Sequence, residues 1–311
     1  MNIYHSIGDF PLNKDTIITI GTFDGVHKGH QTIINRINKI AKREGLESVV
    51  LTFDPHPRHV IYPDDQDLKL IHTIEEKIEA LSSTGLHNLV IHKFTKEFSR
   101  TKSVNFIRDI LVNKLNMKYM VVGFDHHFGK NRQGTFDNLV ELSDLYGFMI
   151  EKVDPQSIDE VTISSTKIRN AILKGDCKRA NSYLASEFSI RGKVIQGNKI
   201  GNSIGFPTAN IEIDNTWKIL PKDGVYAIKA FVNNKRYFGM LNIGVRPSVS
   251  DDNFAIEAHL FNFKSNIYNE ELKIEFVERI RDEKKFSDLS ELQSQLKIDE
   301  VNCKQAFNLL R

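Results

Sequence analysis

The chain has 311 residues, 40% of them hydrophobic and 26% charged, which is the composition of a globular protein of about two domains and excludes a disordered or collagen-like chain. Its 42 Lys and Arg nearly balance 40 Asp and Glu, 24 against 23 up to Ala185 and 18 against 17 beyond it. No basic arm or acidic tail marks a nucleic-acid-coating or membrane-surface role. The two cysteines, Cys177 and Cys303, lie far apart without metal-ligand spacing, which argues against a disulfide framework or a Cys-based zinc site. No apolar run nears the roughly 20 residues that span a bilayer, and the opening MNIYHSIGDF carries no basic n-region followed by an apolar h-region. The expectation is a soluble cytoplasmic protein with no membrane or nucleic-acid partner.

The β-branched run Thr16 to Ile20 has the length of a buried strand. From Gln31 to Glu44, Ile33, Ile34, Ile37, Ile40 and Ala41 line one face of a 3.6-residue period, and Gly45 stands where a helix ends. A second strand is expected over Ser48 to Phe53. A helix over Thr73 to Ser83 follows, with Thr73 and Glu76 as a capping box. Then come strand Leu89 to His92, a helix from Val104 capped by Ser103, strand Tyr119 to Val122, a helix near Phe136 to Leu145 and a strand near Phe148 to Val153. Solidly apolar strands joined by helical crossovers predict a Rossmann-like parallel sheet covered on both faces.

The unusual residues all follow strands. GTFDGVHKGH comes after the first, DPHP after the second, KFTKEFS after the third and GFDHHFG after the fourth. Open parallel sheets bind ligands at that rim. Gly21, Gly25 and Gly29 permit a tight turn into a helix whose unpaired N–H groups favour an anion such as a triphosphate. His27 and His30 stand at its mouth, placed to donate hydrogen bonds to phosphate oxygens as charge grows on them. The turn is neither a Walker A loop nor a dinucleotide G-x-G-x-x-G turn. Histidines of this spacing also read as surface helix-start residues or as a metal pair, for which no third ligand stands nearby at helical spacing and His56 and His126 are the more distant candidates. Strand, glycine turn, two histidines and helix together favour the phosphate reading.

GTFDGVHKGH resembles the H-x-G-H signature of the nucleotidyltransferase superfamily, and ISSTKIR, Ile163 to Arg169, resembles its second signature, ISST-x-x-R. With TFDPHP (Thr52 to Pro57) and VGFDHHFG (Val122 to Gly129), the set is similar to the FMN adenylyltransferase module of bacterial bifunctional FAD synthetases. The resemblance implies in-line attack of the FMN phosphate on the α-phosphate of ATP, with release of pyrophosphate and no covalent enzyme intermediate. His27, His30 and Arg169 are the implied catalytic residues. Gly21, Phe23, Asp24, Gly29, Asp125, Ser164, Ser165 and Thr166 are implied on the ATP side, and Asp54, Pro55, His56 and Pro57 on the flavin side. The three hydroxyls of ISST suit a phosphate or a helix cap near Lys167, and Arg169 brings a permanent charge one turn later. Asp24 and Asp125 read equally as ligand contacts and as turn or cap residues. His126 stands where the family usually has an aromatic; it and His127 read as loop residues.

A helical stretch, Asp176 to Ala185, closes the first part, with a domain boundary expected between 185 and 186. Strand signals then succeed one another over Ser189 to Gln196, Ala209 to Ile213, Gly224 to Val232, Arg236 to Ile243, Phe254 to Phe263 and Glu271 to Ile280. Asn233-Asn234 suits a two-residue hairpin turn, and Asp288 suits the cap of a terminal helix over Leu289 to Leu310. Six strands without intervening helices predict an antiparallel β-barrel.

Two features of this part carry chemistry. In Gly192 to Ile211, glycines at 192, 197, 201 and 205 allow backbone N–H groups to approach phosphate, while Thr208 and Asn210 fall on one face of the next strand. A hydroxyl and an amide oxygen side by side suit Mg²⁺, although a plain glycine-rich hairpin reads the same. In FAIEAHLFNF, Glu257 shares a strand face with Ala255 and His259, opposite Ile256, Ala258 and Leu260. It is a candidate general base for an alcohol attacking the γ-phosphate, but its position alone favours a solvated outward residue.

GFPTANI resembles the signature of riboflavin kinases, and ILPKDGVYA, NIGVRPSV, IEAHLFNF and IRDEKKF follow in that family's order. The resemblance implies that Thr208 and Asn210 hold Mg²⁺ and ATP phosphates, with Gly197, Gly201 and Gly205 in the phosphate loop. It implies Glu257 as the base on the ribityl 5′-hydroxyl, and Arg281, Glu283 and Phe286 on the flavin. Asn202 replaces a common Arg and Ser248 a usual Thr. Spanning about Thr16 to Phe307, the resemblance implies riboflavin, FMN, FAD and ATP as ligands of a bifunctional enzyme. A flavin-binding regulator with degenerate sites is the alternative, and the intact His27, His30, Arg169, Thr208, Asn210 and Glu257 argue against it. A tRNA synthetase relative would need a KMSKS-like loop, which is absent.

Overall fold

The computed structural model describes residues 1–11, 13–65, 67–123, 135–153, 163–197, 200–233, 235–246 and 253–309. Contacts divide the chain into two compact units, Met1–Ser165 and Thr166–Arg311.

In the first unit, β1 (Asn2–Tyr4) precedes β2 (Thr16–Ile20), which leads into α1 (Lys28–Glu44). There follow β3 (Glu47–Asp54), α2 (Pro57–Ile61), α3 (Ile74–Ser82), β4 (Asn88–Lys93), α4 (Lys96–Ser99) and α5 (Ser103–Asn105), then β5 (Met117–Gly123), α6 (Phe136–Tyr146) and β6 (Met149–Val153). The six strands pair in parallel in the order β1-β4-β3-β2-β5-β6. β2 is buried along its whole length because successive side chains enter different cores. Ile18 and Ile20 pack on one face with Leu51, Met120 and Phe106, while Ile17 packs on the other with Ile34, Ile37 and Ile40 of α1. Gly45 ends α1 in the left-handed conformation at φ 69°, and the Thr73–Glu76 capping box is present.

The strands and long helices stand where the sequence puts them, with two differences of local structure. Ser103 is the first residue of α5 rather than its cap; Lys102 precedes it with no side-chain bond. The chain then widens into a π-helical stretch, Phe106–Val112, with Asn113 N–H bonded to the Arg108 carbonyl and Leu115 N–H to that of Ile110. That widening seats Phe106, Ile107 and Leu111 in the core together, which an α-helical period does not anticipate. The edge strand β1 is too short to carry a period and exists through its pairing with β4.

The second unit opens with α7 (Ser165–Leu173, shared at its first residue) and α8 (Cys177–Tyr183). The barrel strands are β7 (Ser189–Ile195), β8 (Ala209–Glu212) after a short α9 (Ile200–Ser203), β9 (Gly224–Val232), β10 (Lys235–Arg246), β11 (Asn253–Leu260) and β12 (Glu271–Arg281); α10 (Leu289–Ala306) ends the unit. All pairings are antiparallel and close in the order β10-β11-β8-β7-β12-β9. Contacts thus group α7 and α8 with the barrel. Asn181 of α8 shows why: its amide bonds the Phe276 carbonyl and the Phe188 N–H, both at 2.8 Å. The turn between β9 and β10 has Asn233 at φ 48°, as a tight hairpin requires; Asn234 lies outside the described residues. Asp288 caps α10 through the Glu291 N–H at 2.8 Å, and Leu292, Leu296 and Phe307 pack onto Met240, Phe238 and Phe261. Among the described residues no helix is long and apolar enough to cross a membrane.

Candidate active sites

The chain leaves β2 for β3 and β4 on one side, then returns to place β5 on the other. The carboxyl ends of β2 and β5 therefore flank the crevice where such sheets take ligands. The turn leaving β2 is built under strain: Phe23, Gly25 and Val26 all have positive φ, at 48°, 89° and 38°. For a β-branched valine this costs on the order of 1–3 kcal/mol and persists only where neighbours over-determine it. Those neighbours are explicit. Phe23 and Val26 are buried; the Thr22 carbonyl accepts from the Thr52 hydroxyl at 3.2 Å, and the Asp24 carbonyl from the Ser165 hydroxyl at 2.8 Å. The Asp24 carboxylate, 2% exposed, accepts the amides of Ile71 (2.9 Å) and His72 (3.0 Å). Asp24 thus braces the turn, and Ser165 ties the second signature to the first rather than capping α7.

His27 caps α1: its Nδ1 accepts the His30 N–H at 3.3 Å. The two imidazoles stack with centroids 3.6 Å apart and planes 17° from parallel, and Phe23 lies 4.8 Å from His30. Burial, then the positive charges that His27, Lys77 and His72 carry or acquire, hold the His30 pKa well below the usual histidine range. His30 is therefore neutral at neutral pH. Its buried Nδ1 has no hydrogen-bond partner among the described residues. Two stacked imidazoles at the amino end of a long helix form a dry, donor-rich place for phosphate oxygens.

Asp54 and Pro55 are exposed, joined by a cis peptide bond; His56 caps α2 by accepting the Arg58 N–H at 3.2 Å, with Pro57 as the first helical residue. Gly21 ends β2 and Gly29 is buried in the first turn of α1. Ser164 is half-buried. Thr166 (exposed) and Arg169 (half-buried) lie on α7 and are counted with the second unit. Asp125, His126, His127 and Ser248 lie outside the described residues.

In the second unit the strand register assembles the other group. Glu257 on β11 stands opposite Asn210 of β8 on one side and Asn242 of β10 on the other. A cavity of about 370 Å³ is lined by Thr208, Asn210, Asn242, Glu257, Arg281, Glu283 and Phe286. A second cavity, of about 380 Å³, is lined by Gly197, Asn202, Lys264 and Tyr268, and again by Thr208 and Asn210. These two residues form the wall common to both. The loop before them is steric rather than flexible. A Cβ on Gly201 would fall on the Phe206 carbonyl, one on Gly197 would fall on the Asn210 amide, and Gly205 has φ 84°.

Three contributors here escape a sequence reading. Asn242 reaches the cavity only through register. The His259 ring nitrogen Nδ1 donates to the Pro207 carbonyl at 2.8 Å and so anchors the turn into β8. Asp299 of α10, fully buried, takes the Arg281 guanidinium in a two-pronged pair at 2.8 and 2.7 Å and also accepts from Gln295 at 2.9 Å. Arg281 is thereby held with its guanidinium 5.8 Å from the Phe286 ring centroid. Because Arg281 is 21% exposed, Asp299→Ala should destabilise the chain by about 2–3 kcal/mol, less than a wholly buried pair, as urea melts would read.

A parallel-sheet unit with stacked histidines at its switch point, followed by a barrel whose Thr, Asn and Glu face two adjoining cavities, defines a two-domain phosphate-transferring protein. The family model described as FAD synthetase matches residues 9–167, and that described as riboflavin kinase matches residues 184–307. A bifunctional riboflavin kinase/FMN adenylyltransferase of Bacillus subtilis is 38% identical over 303 residues, 95% of this chain and 94% of the relative. The Escherichia coli K12 protein of that name is 32% identical over 308 residues, 99% and 97% of the two chains. A solved structure described as a macrolide-efflux protein from Streptococcus pneumoniae superposes with a TM-score of 0.88 at 31% identity, covering 97% of this chain and 98% of that one. The chain belongs to the bifunctional riboflavin kinase/FMN adenylyltransferase family.

Proposed function

We propose that the family's two reactions divide over this chain at about residue 185, FMN adenylylation before it and riboflavin phosphorylation after it. The start of the second matched stretch at residue 184 supports a division near that point. ATP and the flavins are the substrates of both halves.

The observation that carries the kinase assignment is the common wall of the two cavities. Riboflavin occupies the cavity with Arg281, Glu283 and Phe286, and ATP the cavity with Gly197, Asn202 and Lys264. The γ-phosphate then meets the ribityl 5′-hydroxyl beside Thr208 and Asn210. Glu257 takes the hydroxyl proton as the new O–P bond forms and the bond to ADP breaks. Thr208 and Asn210 offer a hydroxyl and an amide oxygen, hard donors suited to Mg²⁺, and Gly197 leaves open the space against the Asn210 amide that a Cβ would fill. Mg²⁺ bound there with the nucleotide would neutralise phosphate charge.

In the first half, the β2–α1 turn with His27, His30, Gly21, Phe23 and Gly29 receives the ATP triphosphate, joined by Ser164; Thr166, Arg169 and Asp125 are assigned to ATP on the family resemblance alone. The DPHP turn, Asp54 to Pro57, receives FMN. An FMN phosphate oxygen attacks the α-phosphorus of ATP and pyrophosphate departs. His27 and His30 stabilise charge on the transferring group, and positioning does the rest.

The test is direct. Purified protein with riboflavin, ATP and Mg²⁺ should yield FMN and then FAD on chromatography, and neither when Mg²⁺ is replaced by EDTA. Folded protein that makes neither flavin in the presence of Mg²⁺ overturns the reading.

A further inference from the structure

Lys77 is a buried charge that neither signature nor the proposed chemistry employs. It lies on α3, is 7% exposed, and its Nζ makes one hydrogen bond among the described residues, to the Thr52 hydroxyl at 3.5 Å, the outer limit for such a bond. An ammonium so thinly bonded is costly to bury, and methionine would fill the space more cheaply. Two carboxylates oppose that cost: Asp24 of the β2–α1 turn and Asp54 of the cis-proline turn both favour the charged lysine, while burial pushes its pKa down. The same two turns are linked again by Thr52, which faces Lys77 and donates to the Thr22 carbonyl. Asp24 closes the circuit by accepting the amides of Ile71 and His72, which lead into α3.

We propose that Lys77 is a positioning residue for adenylyl transfer, clamping the ATP-binding turn and the FMN-binding turn at the separation that aligns the FMN phosphate with the ATP α-phosphorus. The inference rests on the assignment of the two turns made above. Lys77 touches neither substrate; it acts through Asp24, Asp54 and Thr52. The titratable groups that act on it are those two carboxylates, and its own charge is one of those depressing His30.

Lys77→Met removes the charge and keeps the apolar stem, whereas Lys77→Arg keeps the charge. In the full chain, Lys77→Met should lower kcat for FMN-to-FAD conversion by about 10²-fold, with KM for FMN and for ATP changed less than about threefold. Lys77→Arg should restore part of kcat, and both variants should phosphorylate riboflavin at the wild-type rate. The His30 imidazole, followed by NMR titration, should move upward in Lys77→Met. A residue needed only for stability would shift the melting temperature and leave kcat per folded molecule and the arginine rescue flat. Wild-type kcat in folded Lys77→Met, or a rise confined to one KM, overturns the proposal. If the wild-type chain makes no FAD, the turn assignment fails by itself. An unmoved His30 in Lys77→Met then overturns the link between Lys77 and the β2–α1 turn as well.

Discussion

Glu257→Ala should reduce riboflavin phosphorylation by about 10²–10⁴-fold in kcat while FMN-to-FAD conversion by the same chain stays near wild type. The expectation follows from register. Glu257 is flanked across the sheet by Asn210 and Asn242, and its side chain lines the cavity that also holds Arg281 and Phe286, next to the wall of Thr208 and Asn210 shared with the second cavity. Among the described residues the cavity has one other carboxylate, Glu283, which is exposed on the loop after β12. Glu257→Gln keeps the shape and the hydrogen-bonding reach but accepts no proton. It should therefore fail as badly as alanine if proton acceptance is the role. A glutamine variant with near-native kcat would remove Glu257 as the base. Loss of both activities in a folded Glu257→Ala protein would break the proposed division of the chain.

The reverse separation is expected at His30. His30→Ala should lower FAD formation by about 10²–10³-fold, the scale for losing one pre-placed donor on a charge-developing group, and leave riboflavin phosphorylation intact. The same residue links stability to pH. Its folded-state pKa lies below the ordinary value near 6.5, so as pH falls past that value the unfolded chain binds the proton first. Stability carried by the neutral imidazole is thus complete above about pH 6.5 and declines below it until the folded pKa is reached. Burial depresses His92 in the same unit in the same direction, so replacing His30 should reduce the acid sensitivity rather than abolish it. Melting temperatures of wild type and variant, measured without nucleotide near pH 7 and pH 5, read the difference. An unchanged slope would show that His30 titrates alike in both states.

Much of the fold is local information and could be read directly. TIITI and SVVLTF are apolar on both faces because both faces are covered, and Gly45, Thr73 and Asp288 mark helix ends through bonds made within a few residues. The paired histidines, the glycine loop and the GFPTANI strand stand out for the same reason: each motif is formed by residues close in sequence. Asp24 shows where that reading stops. Its part in bracing the turn depends on two amides 47 and 48 residues away, and no spacing in GTFDG records them.

By itself, the sequence determined a parallel α/β part followed by an antiparallel barrel and the order of their main strands and long helices. Periodicity, caps and turn glycines are short-range physics, and they suffice for that much. Only the tertiary structure decided which side chains face one another across that framework. It set Asn242 and Asn210 on either side of Glu257, buried Asp299 under Arg281, and brought Lys77 of α3 against the Thr52 hydroxyl of β3. Those relations arise from strand register and helix docking, where contact partners are tens of residues apart and burial, not spacing, sets the strength of each charge.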